Sequence, residues 1–275
     1  MEFRYFSRNG ELRPIAEADI SLANIEYQYG FGVYETLRIS KGVPYFAREH
    51  IERLLESARV IGLQHSLSAA TIAQSIAELI KKNEVDICNA KILLIGGKTA
   101  ADATISILCL NPLFPDKKLY RDGVHTITVQ HERGFPHAKT LSMLGSYLAF
   151  QKARSLGAYD ALLVDRAGNI VEGTRTNFFC IHDKTIFSPP EEKILLGVTR
   201  KAVLKVAAER GYKLWEGDIP LAHIADYDGA FLTSTSSNIL PIKSIDTFTF
   251  PAIPSTLGEL MPAFDKYLDD CGGKM

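Results

Sequence analysis

The sequence predicts an α+β protein of two lobes, and three observations carry that expectation. Strand-like and helix-like segments are interspersed in both halves of the chain. A stretch with two prolines and a charged cluster, Asn111-Pro112-Leu113-Phe114-Pro115-Asp116-Lys117-Lys118, punctuates the middle and reads as a linker. The 275 residues suffice for two separate cores. The expected division is a small N-terminal lobe over 1–116 and a larger C-terminal lobe over 117–275.

The elements follow from periodicity and punctuation. Val33 to Ile39 is β-rich, and Lys41-Gly42 makes a turn before Val43 to Phe46. From Glu49, residues Ile51, Leu54, Leu55, Ala58 and Ile61 form one helical stripe closed by Gly62. Ser68 reads as the N-cap of a second helix with Ile72, Ile76, Leu79 and Ile80 inward. Lys81 and Lys82 end it, beside the negative pole of its dipole. Lys91 to Ile95 and Thr104 to Leu110 are apolar strands. In the second half come a strand, Val124 to Gln130, a loop with Gly134, Pro136 and Lys139, and a helix from Leu144, Leu148 and Ala149 to Gly157. Ala161 to Val164 and the strand from Ile170 form a hairpin, with Gly168 and Asn169 expected to supply positive φ. Arg200 to Arg210 is helical, and a last helix carries Leu257, Leu260, Met261, Phe264 and Leu268 on one face.

Composition excludes several classes. Hydrophobic residues at 46% against 23% charged fit an ordinary globular chain, and a net charge of -1 argues against nucleic acid or an anionic membrane as partner. The four cysteines, Cys88, Cys109, Cys180 and Cys271, form no CxxC pair, so no metal site is expected. With neither a signal-like N-terminus nor a long apolar run, a cytoplasmic location is the expectation. Gly30-Phe31-Gly32 precedes a strand rather than a helix, the wrong order for a dinucleotide site. GxSxG, HExxH and Walker motifs are absent.

Six segments taken together resemble one family. Gln28-Tyr29-Gly30-Phe31-Gly32-Val33-Tyr34-Glu35-Thr36-Leu37-Arg38 resembles the "YGDGVFETLR" opening of the class IV aminotransferases. Glu49-His50-Ile51-Glu52-Arg53-Leu54 with Ser57-Ala58 resembles their "EH..RL..SA" helix, and Ala138-Lys139-Thr140-Leu141 their cofactor-lysine segment. Asp160 to Asp165, with Gly168 and Val171-Glu172-Gly173-Thr174-Arg175-Thr176-Asn177, resembles a fourth block. Leu195-Leu196-Gly197-Val198-Thr199-Arg200 and Thr233 to Ile242 are similar to two more, all in family order.

The resemblance implies fold type IV, with a small α/β lobe and a larger lobe built on a barrel-like sheet. It also implies pyridoxal 5'-phosphate, an amino acid and a 2-oxo acid as substrates, and a homodimer. Lys139 is then the Schiff-base lysine and proton carrier. Glu172 pairs with the pyridine nitrogen, whose proton makes the ring an electron sink. Leu195 packs behind the ring, and Arg53, Thr199, Thr235, Ser236 and the backbone of Gly197 and Val198 hold the phosphate. On its helical wheel Arg53 lies about 140° from the apolar stripe, which by itself means solvent. Tyr34 and Glu35 fall at the substrate end.

Two departures bear on the substrate. The D-amino-acid branch carries an Arg-x-His trap where this chain has Gly96-Gly97-Lys98-Thr99-Ala100-Ala101-Asp102-Ala103. The branched-chain branch has tyrosine five residues after the lysine, where this chain has Leu144. Arg175 and Arg38 are the expected substitutes, because a guanidinium fork matches a carboxylate. The expected reaction is transamination of D-amino-acid type. The alternatives are 4-amino-4-deoxychorismate lyase chemistry, with release of pyruvate, and a non-catalytic member of the fold.

Overall fold

The computed structural model describes residues 2–271 and divides into two compact units. The first runs to Leu113 and also takes in His137–Ser142; the second comprises Phe114–Pro136 and Met143–Asp270. The chain thus returns to the first unit after the expected cut at 116/117, and the returning segment carries Lys139.

The first unit contains β1 (Tyr5–Arg8), β2 (Glu11–Pro14), the short α1 (Ile25–Gln28), β3 (Gly32–Ser40), β4 (Val43–Pro44), α2 (Ala47–Val60), α3 (Ala69–Lys82), β5 (Cys88–Ile95) and β6 (Thr104–Leu110). Its sheet runs β2-β1-β6-β5-β3-β4, all antiparallel. Val33, Leu37 and Ile39 pack against Ile51, Leu54 and Ala58 of α2 and Ile72, Ile76 and Leu79 of α3. Their alternation along β3 buries one sheet face under the two helices. Ser68 caps α3 by accepting from Thr71 N–H, as its position predicts. Val43 to Phe46 is shorter as a strand than expected, because Phe46 turns to φ 54 and caps α2.

The second unit contains α4 (Lys117–Asp122), β7 (Val124–Gln130), α5 (Leu144–Ser155), β8 (Asp160–Val164), β9 (Ile170–Gly173), β10 (Asn177–His182), β11 (Thr185–Ser188), α6 (Val198–Glu209), β12 (Lys213–Glu216), β13 (Gly229–Ser234), β14 (Asn238–Ile245), β15 (Phe248–Thr249) and α7 (Ser255–Cys271). The neighbours β10-β13-β14-β7-β8-β9 form a ring, because β9 also pairs with β10 through Glu172 and Asn177. The barrel-like sheet is therefore closed, with β11 and β12 continuing outward from β10. In the β8–β9 hairpin only Gly168 has positive φ; Asn169 instead donates its backbone and side-chain N–H groups to Asp165. Leu144 and Leu148 open α5 but are exposed, and the helix packs through Ala149 and Ala153. Among the described residues no helix is long and apolar enough to cross a membrane.

Candidate active site

In the first unit, α2 carries a second buried stripe beside its apolar one: His50, Arg53 and Ser57, spaced three and four residues apart. These polar side chains face β3 and the returning segment. Ser57 Oγ accepts from Lys139 N–H at 3.1 Å. Tyr34 N–H donates to the Lys139 carbonyl at 2.9 Å, and Leu141 N–H to the Gly32 carbonyl at 2.8 Å. Gly32 permits this close approach, since a Cβ there would collide with Leu141 and the Leu94 carbonyl. A loop lysine, ordinarily solvated, is thereby held half-buried by backbone bonds on both sides of it.

The Lys139 ammonium lies 4.6 Å from the centroid of the Tyr34 ring, and Lys91 Nζ lies 3.5 Å from the same centroid. Lys91 comes from β5, opposite Thr36, so it shares the face of Tyr34. Burial pushes the Lys91 ammonium down to about 8. Arg38, two residues beyond Thr36 on the same face, is half-buried.

Tyr34 and Glu35, expected together at the substrate end, point to opposite faces of β3, because side chains alternate along a strand. Glu35 lies in the row of Val33 and Leu37 under α2 and is fully buried. Its Oε1 accepts from Arg53 Nε at 2.6 Å; its Oε2 accepts from Arg53 Nη2 at 2.9 Å and from His50 Nδ1 at 2.8 Å. Burial would raise the carboxyl, but Arg53 and His50 outweigh it and hold Glu35 well below the usual carboxylate range. Burial lowers His50 against the pull of Glu35. Arg53 is therefore not the solvated residue of the helical wheel: its stem folds back and leaves the side chain 13% exposed.

In the second unit, Glu172 sits where the barrel closes. β9 carries a bulge here, since Leu163 faces Glu172 while Val164 faces Ile170. All four residues of β9 are buried, Val171 and Glu172 among them. Glu172 Oε1 accepts from Arg133 Nε at 2.5 Å and Oε2 from Leu195 N–H at 3.2 Å. The Leu195 carbonyl in turn accepts from Asn177 Nδ2 at 2.7 Å. Leu195 is buried, and its backbone N–H donates to Glu172.

Gly197 is the N-cap of α6 and has no side chain with which to cap it. A Cβ at Gly197 would strike the Asn177 side-chain amide, so a larger residue there would have to displace that amide. Val198 and Thr199 follow in the first turn, where N–H groups and the dipole favour an anion. Thr235 and Ser236 occupy the β13–β14 turn, which Ser234 and Ser237 brace through their hydroxyls. Arg175 is exposed and stacks its guanidinium 3.8 Å from the centroid of the Phe150 ring. In the stretch where an Arg-x-His trap would stand, Thr99 and Asp102 instead form a reciprocal capping box on a short turn.

Sequence reasoning missed His50, Ser57 and Arg133. The helical spacing of His50 and Ser57 with Arg53 was a readable signal. Arg133 lies outside any periodic segment, 39 residues from Glu172, and only the folded chain pairs them.

A family model described as Amino-transferase class IV matches residues 32–245. The chain is 30% identical over 247 residues to the D-alanine aminotransferase of Bacillus licheniformis, covering 86% of this chain and 87% of that one. It is 27% identical over 259 residues to the branched-chain-amino-acid aminotransferase of Pseudomonas aeruginosa, covering 86% and 83%. In fold it is similar to the branched-chain amino acid aminotransferase of T.th., solved with pyridoxamine 5'-phosphate. That match has a TM-score of 0.89 at 24% identity and covers 100% of this chain and 96% of the other.

Proposed function

Since the chain belongs to the class IV aminotransferases, a pyridoxal-phosphate-dependent class, we propose that it moves the amino group of a D-amino acid to a 2-oxo acid, with Lys139 as the catalytic amine. The observation that carries this reading is the placement of Lys139: a loop side chain withdrawn from water and held by backbone bonds against Tyr34. A lysine amine held in place by its backbone suits a Schiff-base nucleophile that must meet one carbon repeatedly.

Each unit by itself carries groups of the kind the cofactor uses. The first unit supplies the amine of Lys139 and the guanidinium of Arg53. The second supplies the fixed carboxylate of Glu172 for a pyridine nitrogen, with Leu195 beside it. It also supplies the uncapped amides from Gly197 to Thr199 and the hydroxyls of Thr235 and Ser236 for a phosphate. When bound, the cofactor supplies an electron sink that acidifies the hydrogen on the substrate's Cα. Lys139 Nζ then serves as the base that takes that proton.

The substrate carboxylate falls, in this reading, to Lys91 and Arg38, which share one sheet face with Tyr34. Lys91 was not anticipated; Arg175, which was, packs on Phe150 instead. The exposed Leu144, Tyr147 and Leu148 on α5 fit a homodimer face. D-specificity is supported by the Bacillus licheniformis relative and by Leu144 in place of the branched-chain tyrosine.

The test is the absorption spectrum of the purified holoprotein on adding D-alanine, then separately L-leucine. Conversion of the cofactor band to its shorter-wavelength amine form by D-alanine alone bears out the reading. Conversion by L-leucine alone overturns the D-specificity, and a band unchanged by both turns the reading to the lyase. Lys91→Gln should raise the KM for the donor about tenfold, and wild-type KM should rise above pH 8 as Lys91 loses its charge.

A further inference from the structure

Glu35 is a carboxylate set in an apolar row. Its two sequence-alternate neighbours, Val33 and Leu37, pack in the core under α2, and Glu35 itself is fully buried. A charge there is costly unless every oxygen is used. All the contacts go to one purpose. Oε1 and Oε2 take the Nε edge of Arg53 as a bidentate fork, and His50 Nδ1 and the Thr36 N–H complete Oε2. His50 Nδ1 lies 2.8 Å from Oε2, and burial lowers the ring's proton affinity against the pull of Glu35.

A guanidinium is planar and rigid. Fixing its Nε and Nη2 edge therefore fixes the direction in which the opposite, Nη1 edge faces. Arginine on a free stem must be ordered each time it takes an anion, and that ordering weakens binding. Here the ordering is done within the fold, by one residue of β3 and one of α2, and both lie under the sheet, away from the Tyr34 and Lys91 face.

We propose that Glu35 and His50 are positioning residues for Arg53: they hold its guanidinium preformed for the phosphate of the cofactor and do not contact substrate. The proposal rests on the reading above, in which Arg53 takes that phosphate. It assigns Glu35 a part in cofactor affinity and removes it from the substrate pocket.

The test compares two aldehydes that differ only in the phosphate. Full-length protein is stripped of cofactor, and dissociation constants for pyridoxal phosphate and for pyridoxal are measured by absorbance titration. Wild type, Glu35→Gln, His50→Gln and Arg53→Met are compared. The expected result is that Glu35→Gln weakens pyridoxal phosphate about tenfold and pyridoxal by less than about twofold. His50→Gln should shift the same ratio in the same direction by less. An unchanged ratio in Glu35→Gln overturns the clamp. Should that variant not fold, His50→Gln decides: a lowered ratio supports the proposal and a wild-type ratio overturns it. Arg53→Met separates the two readings. If it keeps the wild-type ratio, Arg53 does not hold the phosphate and the underlying assignment fails with the clamp. If it alone loses the ratio, only the clamp fails.

Discussion

Glu35 in the first unit and Asp160 in the second are both fully buried carboxylates, yet their proton affinities move in opposite directions. Burial raises both. At Glu35 the Arg53 guanidinium and His50 more than reverse it. At Asp160 the donors are neutral: the Thr174 hydroxyl at 2.5 Å, the Thr176 hydroxyl at 3.1 Å and the Ala161 N–H at 2.9 Å. With the more distant charge of Arg175 they offset only part of the burial, and the carboxyl stays raised. Hydroxyls can thus satisfy a buried carboxylate without reversing the effect of its burial, whereas a bidentate guanidinium does both. One site invests in a fixed charge. The other is a polar knot in the barrel, crowded enough that a Cβ on Gly173 would strike Thr176 and Asp160.

Dismantling the charged site should have the strongest consequence. Glu35→Leu leaves Arg53 and His50 buried without their acceptor and should cost about 3–5 kcal/mol in equilibrium urea unfolding. A loss below ~1 kcal/mol would mean that Arg53 finds water or another acceptor.

The pH dependence of stability comes next and separates the two sites by sign. Glu35 ionises at a lower pH in the folded chain than unfolded, so its stabilisation is complete above the usual 4.5 and is lost as the pH falls below it. Asp160 holds its proton more tightly when folded, so it stabilises at low pH and loses that contribution as the pH rises from the usual 3.8 through its raised value. Between neutral and acid pH, Glu35→Gln should flatten the acid decline in urea midpoint, and Asp160→Asn should steepen it. Shifts of both variants in one direction would dissolve the contrast between the sites.

At neutral pH, Asp160→Asn should cost only about 1 kcal/mol, because an amide keeps one acceptor and the threonine hydroxyls can turn to meet its N–H. A cost equal to that of Glu35→Leu would show that the two carboxylates are held alike. Thr176→Val should matter least: it removes one long hydrogen bond and should shift the urea midpoint by the equivalent of about 0.5–1.5 kcal/mol.

Much of the fold was legible because periodic burial leaves a local trace. The stripe of α2, the Ser68 cap of α3 and the strands β3, β6 and β7 stand at or near the positions that spacing assigns. The β1–β2 hairpin was readable but overlooked: Asn9-Gly10, at φ 53 and 87, is a strong two-residue turn signal. Leu144 and Leu148 misled, since apolar residues at helical spacing do not say which face a helix buries.

Local spacing and contiguous motifs were enough for the α+β class, most element positions and, through the resemblance, the family and its cofactor. Tertiary contacts alone turned Arg53 inward, brought Lys91 and Lys139 to one ring, and paired Arg133 with Glu172. Each of these depends on where a side chain ends, and for the long ones several atoms of flexible stem separate that point from the backbone position that sequence spacing encodes.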